Sequence, residues 1–208
     1  MLRRVEFQEE WSMGSIQAKP LYEEMGRHNR EMKRARSFIR GKRGKSEFEL
    51  CVIDSYSDFF EQAKEAADGL KAIEAEEEMP LFLCHGDLDH HHVLMGSQYV
   101  AIVEYNRMHL GVQAADLYRF MRKVMERHGW NLKLGAMMLD AYERVLPMSK
   151  KERKCLYYLF LYPEKYWKQL NYYYNANKAW IPARNTDKLK ALQEQEEARR
   201  AFLQEIKY

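Results

Sequence analysis

The sequence predicts a predominantly α-helical α+β fold with one small β-hairpin near its middle, and three observations point to it. Apolar residues recur at helical spacing from Leu21 to Ile39, from Tyr56 to Ile73 and again over most of the chain after Ala114. A short apolar run, Leu81-Phe82-Leu83-Cys84, follows Pro80, and Gly96-Ser97-Gln98 separates two strand-like segments, Val93-Leu94-Met95 and Tyr99 to Val103. The 208 residues are 46% hydrophobic and 31% charged, a balance that suits a soluble chain with a buried core.

The chain reads as one unit, residues 1-208, in four stretches. Residues 1-19 form an irregular lead-in, and 20-78 form two paired helices. In the first helix Leu21, Met25, Met32, Ala35 and Ile39 make the apolar stripe; in the second Tyr56, Phe59, Phe60, Ala63, Ala66, Ala67, Leu70 and Ile73 do. From Arg27 to Lys45 the net charge is +8 and from Glu47 to Glu78 it is −9, so the total of +3 hides two opposed blocks and suggests antiparallel helices of opposite charge. The strand and hairpin occupy 81-106, the only clear β-structure. The stretch 114-207 is helical, with helices predicted over Ala114 to His128 and Leu132 to Val145. The capping box Ser149-Lys150-Lys151-Glu152 opens another to Leu161. Pro163 starts a further helix to about Lys178, and Thr186 is expected to cap a last one from Asp187 to Lys207.

Several function classes drop out. Neither of the longest apolar stretches approaches the ~20 residues a bilayer span needs, and the first residues carry no secretory signal. Cys51, Cys84 and Cys155 stand too far apart for a metal pair or disulfide framework and read as reduced thiols of a cytoplasmic protein. Gly41 and Gly44 lack the Lys-Ser/Thr ending of a phosphate-binding loop. The basic block could attract nucleic acid or another anion, but no recognition motif accompanies it, and a solvated helix face is the expected role. The aromatic run from Tyr157 to Tyr174 is read as core.

Chemistry is concentrated between His85 and Asn106. A strand ends in His85-Gly86-Asp87, followed by Leu88-Asp89-His90-His91-His92, and beyond the hairpin comes Ile102-Val103-Glu104-Tyr105-Asn106. In phosphoryl transfer on the kinase fold, a strand-end Asp orients the attacking hydroxyl, a residue five positions later ligates Mg²⁺, and an acid after the next hairpin ligates Mg²⁺ at the phosphates. The spacing here fits that scheme. The three consecutive histidines could also suggest a Zn²⁺ or Ni²⁺ site, but on an extended segment they would point to alternate sides, and no spaced ligand set completes them.

The strings CHGDLDHHHVLM, VAIVEYNRMHLG and AADLYRFMRKVMERHGW resemble the aminoglycoside-phosphotransferase-like kinases, and within them the CotS-type spore coat proteins of endospore-forming bacteria. The upstream HNREMKRARSFIRGKRGKSEFEL resembles the same spore coat group. The resemblance implies a kinase-like C-terminal lobe with the hairpin around its catalytic loop. It implies Asp87 as the catalytic-loop base, His85 and Asp116 as structural supports of that loop, His92 in the place of a metal-binding Asn, and Glu104 in the place of a metal-binding Asp. Mg²⁺ and ATP are the cofactors it implies for an active enzyme, and nucleotide-binding residues are not assigned.

Two of these positions depart from the pattern. An imidazole at His92 suits Zn²⁺ or Ni²⁺ better than Mg²⁺, which prefers hard oxygen. Glu104 is one methylene longer than Asp and carries its oxygens about 1 Å away, a shift that can cost 10²-fold in rate. A further departure lies upstream. Only 84 residues precede His85, and two long helices use most of them, so the β-rich nucleotide lobe is expected to be missing from this chain. The expectation is a degenerate or truncated phosphotransferase serving as a structural or binding scaffold of the spore coat, with spore coat proteins as partners. The alternatives are the C-lobe of a small-molecule kinase completed by a separate N-lobe chain, and a basic nucleic-acid-binding module.

Overall fold

The computed structural model describes residues 19–76, 80–176 and 183–207. The lead-in of residues 1-18, and the predicted end of one helix near Lys178, lie outside the described residues. Helix α1 spans Leu21–Gly41 and α2 spans Glu47–Glu76. Acids Glu23 and Glu24 in the first turn of α1 and Arg40 in its last turn match the helix dipole. Helix α2 opens on a capping box absent from the sequence expectation: Glu49 N–H donates to Ser46 Oγ at 3.4 Å, and Ser46 N–H donates to Glu49 Oε2 at 2.7 Å. The Glu49 carboxylate is 1% exposed and also accepts from Lys42 Nζ at 2.5 Å and from the Tyr173 hydroxyl. One acid thus ties the α1–α2 turn to the distant helical region.

The two helices pack through their apolar stripes rather than through opposite charges. Met25, Met32, Ala35 and Ile39 are buried on α1, and Val52, Phe59, Ala63, Ala66 and Leu70 on α2. Apart from Lys42–Glu49 near the turn, no ion pair joins α1 to α2 among the described residues. Apolar burial of about 1.5–3 kcal/mol per large side chain outweighs exposed pairs worth at most about 1 kcal/mol.

Strand β1, Phe82–Cys84, enters from α2, and β2, Val93–Met95, pairs antiparallel with β3, Val100–Ile102, as the predicted hairpin. A fourth strand, β4, His109–Gly111, pairs antiparallel with β1, setting Leu83 opposite Leu110. The sequence reading missed it. The helical remainder comprises α3 (Ala114–Arg127), α4 (Leu132–Val145), α5 (Lys150–Leu161), α6 (Glu164–Asn175), α7 (Ala183–Glu194) and α8 (Glu196–Glu205). Helix α5 begins on the predicted capping box. The predicted last helix is instead two, broken at Gln195, and Thr186 lies buried inside α7 rather than capping it.

Helix α2 packs on α5 and α7, α1 on α6, and α3 on α5, which places one core along α2 and α5. Most of the aromatic run belongs to it: Tyr157, Phe160, Tyr162, Tyr166 and Tyr173 are buried. Gly69 lets α2 approach α5 closely, since a Cβ there would stand 2.3 Å from the Tyr158 ring. Arg199 of α8 donates to the carbonyls of Phe160 at 2.9 Å and Leu161 at 2.6 Å, closing the C-terminus of α5. No helix among the described residues is long and apolar enough to cross a membrane.

Candidate functional site

The segment from His85 to Asp89 is a short irregular loop whose backbone is held by polar groups rather than by ladder bonds. Helix α3 carries most of them. The Asp116 carboxylate in its first turn accepts from His85 N–H at 2.5 Å and Gly86 N–H at 3.0 Å. Seven residues on, and so on the same helix face, Lys123 pairs with Asp89 at the other end of the loop. Asp89 is 3% exposed and also accepts from His91 N–H at 2.7 Å. Burial alone would raise its pKa, but the Lys123 ammonium and the His91 N–H outweigh burial and hold it at about 2.

His85 is buried and joins the loop to the hairpin. Its Nε2 donates to Val103 O at 2.9 Å and its Nδ1 accepts from Asp87 N–H at 3.3 Å, one consistent tautomer. Gly86 sits at φ +83°, and a Cβ there would stand 2.1 Å from Arg107 O, so the turn into Asp87 requires glycine. The Asp87 side chain is 41% exposed, with Arg107 Nε 3.7 Å from Oδ2. It opens onto a cleft of about 310 Å³ bordered by Met25 and His28 of α1, Arg119 of α3, and Glu164 and Trp167 of α6. In this wall His28 stacks on Trp167 with centroids 3.4 Å apart, and burial lowers its pKa. Glu164 is neutralised by Arg122 and Lys168.

His90, His91 and His92 form a 3₁₀ turn capped by Asp89, not the extended run expected from sequence. His92 Nδ1 donates to Asp87 O at 2.7 Å, and His92 O accepts from Val103 N–H at 3.0 Å. The ring is therefore spent on holding the loop carbonyl, with Nε2 left over. Glu104 is exposed and adopts a left-handed backbone, φ 68° and ψ 53°, just after the Val103 carbonyl that His85 grips. For a residue other than Gly such a conformation costs about 1–3 kcal/mol, held here by the bonds on either side.

The donors at this corner do not suit Mg²⁺. That ion needs near-octahedral oxygen coordination, whereas His92 offers a nitrogen. Among the described residues no group of three or more His, Cys, Asp or Glu side chains stands close enough to hold a metal. Cys84 and Cys155 supply no nucleophile, since burial pushes both thiols up to about 12.

The loop thus brings together His85, Asp87, His92 and Asp116, with Glu104 next to the Val103 anchor. Sequence reasoning missed Asp89 and Lys123. The detectable signal was the seven-residue spacing of Asp116 and Lys123, which puts an acceptor and a donor on one face of the helix behind the loop.

No family model matches the sequence, and no curated protein is significantly similar to it. Among solved structures, the crystal structure of aminoglycoside phosphotransferase from Alicyclobacillus acidocaldarius subsp. acidocaldarius DSM 446 matches with a TM-score of 0.81 at 18% identity. The match covers 91% of this chain and 58% of that protein. The chain therefore has part of an aminoglycoside-phosphotransferase fold, a kinase-like architecture of helices with small antiparallel β pairs, and at this identity the likeness concerns the fold alone.

Proposed function

We propose that this chain is the catalytic-loop lobe of a degenerate phosphotransferase, serving as a binding scaffold rather than a metal-dependent kinase. The observation that carries this reading is the use of His92: its Nδ1 braces the Asp87 carbonyl, and it offers no hard oxygen to Mg²⁺. In this reading Asp87 keeps the place of the base, His85 and Asp116 hold its backbone, and the metal positions of His92 and Glu104 are eroded. The cleft beside Asp87 takes a small-molecule ligand, being within the usual size range for such sites. The sequence resemblance to CotS-type proteins supports a role for this scaffold in the spore coat, with other coat proteins as partners.

The test is phosphate release from ATP and Mg²⁺ by the purified chain, alone and with hydroxylated small molecules. The reading expects turnover no higher than that of the Asp87→Asn variant. Mg²⁺-dependent turnover that Asp87→Asn abolishes would overturn it.

A second reading is favoured by one feature of the hairpin. Met95, Val100 and Ile102 share one face of a two-stranded sheet with both edges open and are all exposed, Met95 at 77%, with Leu94 exposed on the other face and Tyr99 in the turn. In this reading the apolar face is where a nucleotide-binding lobe packs, and ATP with Mg²⁺ would act only once that lobe is supplied. Adding such a lobe from an aminoglycoside phosphotransferase in trans should then restore turnover, and Val100→Asp should abolish the restoration. Failure of every supplied lobe to bind leaves the scaffold reading alone.

A further inference from the structure

The outer layer of the molecule carries two rows of charge that form no ion pair among the described residues. Four contacts between the antiparallel helices α1 and α2 fix their relative heights. Asn29 Nδ2 donates to Ala63 O at 3.1 Å, the Lys33 ammonium lies 5.3 Å over the Phe60 ring, the Arg36 guanidinium 4.5 Å over Tyr56, and Lys42 bonds Glu49. Their inner faces are taken up by α6 on one side and by α5 and α7 on the other. On the outside of α1, Arg30, Lys33, Arg34 and Arg40 are exposed and fall within about 120° of arc at 100° per residue. On the outside of α2, Asp54, Asp58, Glu61 and Glu65 are exposed at spacings of four, three and four.

Among the described residues, none of these four cations makes an ion pair, and neither do Asp58, Glu61 and Glu65. Asp54 only accepts from the Gln193 amide. Between the rows, α2 exposes Leu50 at 55% and Ile53 at 40% at the end nearest the α1–α2 turn, and Ser57 and Lys64 farther along. Ile53 shares the helix row of Phe60, toward α1, and Leu50 lies one row nearer Asp54. The layer is thus a basic row and an acidic row side by side, with an apolar strip between them at the end nearest the turn.

We propose that this layer is a self-complementary interface for a second copy of the chain. A two-fold axis running between α1 and α2, parallel to their length, exchanges left and right while keeping height. It therefore lays the basic row of one copy on the acidic row of the other and brings each apolar strip near its own image. Isologous contact of this kind needs one patch that complements itself. The heights agree: Lys33 is level with Phe60 and Arg36 with Tyr56, so Arg34 of one copy meets Asp58 of the other, and Arg30, next to Asn29 at the level of Ala63, meets Glu61. Leu50 and Ile53, level with the C-terminal end of α1, add an apolar contact at one end of the charged rows.

A nucleic acid is a poorer occupant. A polyanion on the α1 row would lie about 8–10 Å from the acidic row of the neighbouring helix. That is roughly one Debye length at physiological salt, close enough for repulsion. A second copy brings both signs in the required order. Because exposed pairs are individually weak and screened, the association is reversible and salt-sensitive.

Sedimentation equilibrium of the purified chain at about 50 mM and about 500 mM salt tests this, the lower salt leaving surface pairs unscreened. A dimer at low salt that dissociates at high salt is expected. Arg34→Asp and Asp58→Arg should each raise the dimer dissociation constant about tenfold or more, and the double variant in one chain, with both signs exchanged, should restore it. Both side chains are exposed and unpaired among the described residues, so circular dichroism of each variant should match the parent. A monomer at low salt, a dimer indifferent to salt, or a double variant no better than the single ones would overturn the proposal. So would a low-salt monomer that retains DNA through Arg34.

Discussion

The helical body and the loop segment from Phe82 to Gly111 are held together by different forces, although they belong to one fold. In the body, Leu70, Phe160, Tyr166 and Leu170 are essentially without exposure and belong to one core built from three helices, α2, α5 and α6. In the segment the strands are three residues long, and Leu83, Cys84, Gly86, Leu110 and Gly111 are its few buried nonpolar residues. Its shape comes from Asp116, His85, His92 and the Asp89–Lys123 pair, each bonded to loop backbone or across the loop. Burial tolerates drift in exact geometry, whereas a site that must place one carboxylate needs directional bonds.

The contrast predicts global effects in one region and local effects in the other. Phe160→Ala removes a ring in contact with Tyr118, Trp130 and Phe202, and should cost about 4 kcal/mol of global stability, read as a lower denaturant midpoint. Asp116→Ala leaves two buried N–H groups without an acceptor, a loss of about 3 kcal/mol. That loss should appear as hydrogen exchange at His85 and Gly86 while the main unfolding transition moves little. A transition that falls in parallel would break the distinction between the regions. Gly86→Ala should cost about 2 kcal/mol, because the new Cβ meets Arg107 O and the backbone stays at positive φ, and it should displace Asp87 in the spectrum before the body responds.

The smallest effect is acid sensitivity. The folded pKa of Asp89, about 2, lies below its ordinary value of 3.8, so the stability it contributes is present above about pH 4 and is lost as pH falls toward 2. With Lys123 38% exposed, about 1 kcal/mol is expected, read as faster exchange of the His91 amide below pH 4. Lys123→Met should move that loss to higher pH, since Asp89 would then be buried without its cation. An unchanged exchange profile would remove the pair from the account.

Helical periodicity made α1, α2, α3, α4 and α5 legible in sequence, because a wide apolar stripe with caps admits few other folds. It failed where the signal is short or tertiary. His109-Leu110-Gly111 contains one large apolar residue and becomes β4 only because β1 offers an edge. Gln195 breaks the last helix without any glycine or proline to announce it. The site residues His85, Asp87, His92 and Asp116 could be picked out by spacing, but the bonds from Asp116 to the loop backbone and the Asp89–Lys123 pair depend on helix α3 lying behind the loop. That arrangement is a fact of packing which no local pattern encodes.

The central claim is that the loop around Asp87 keeps its polar bracing while its metal corner does not suit Mg²⁺. Titration of the isotope-labelled chain with Mn²⁺, a paramagnetic stand-in for Mg²⁺, reads this directly in the amide signals of Asp87, His92 and Glu104. The account predicts no broadening at these residues beyond that of exposed carboxylates such as Glu61, and selective broadening once His92→Asn and Glu104→Asp are introduced together. Selective, saturable broadening at Asp87 and Glu104 in the unaltered chain would contradict it.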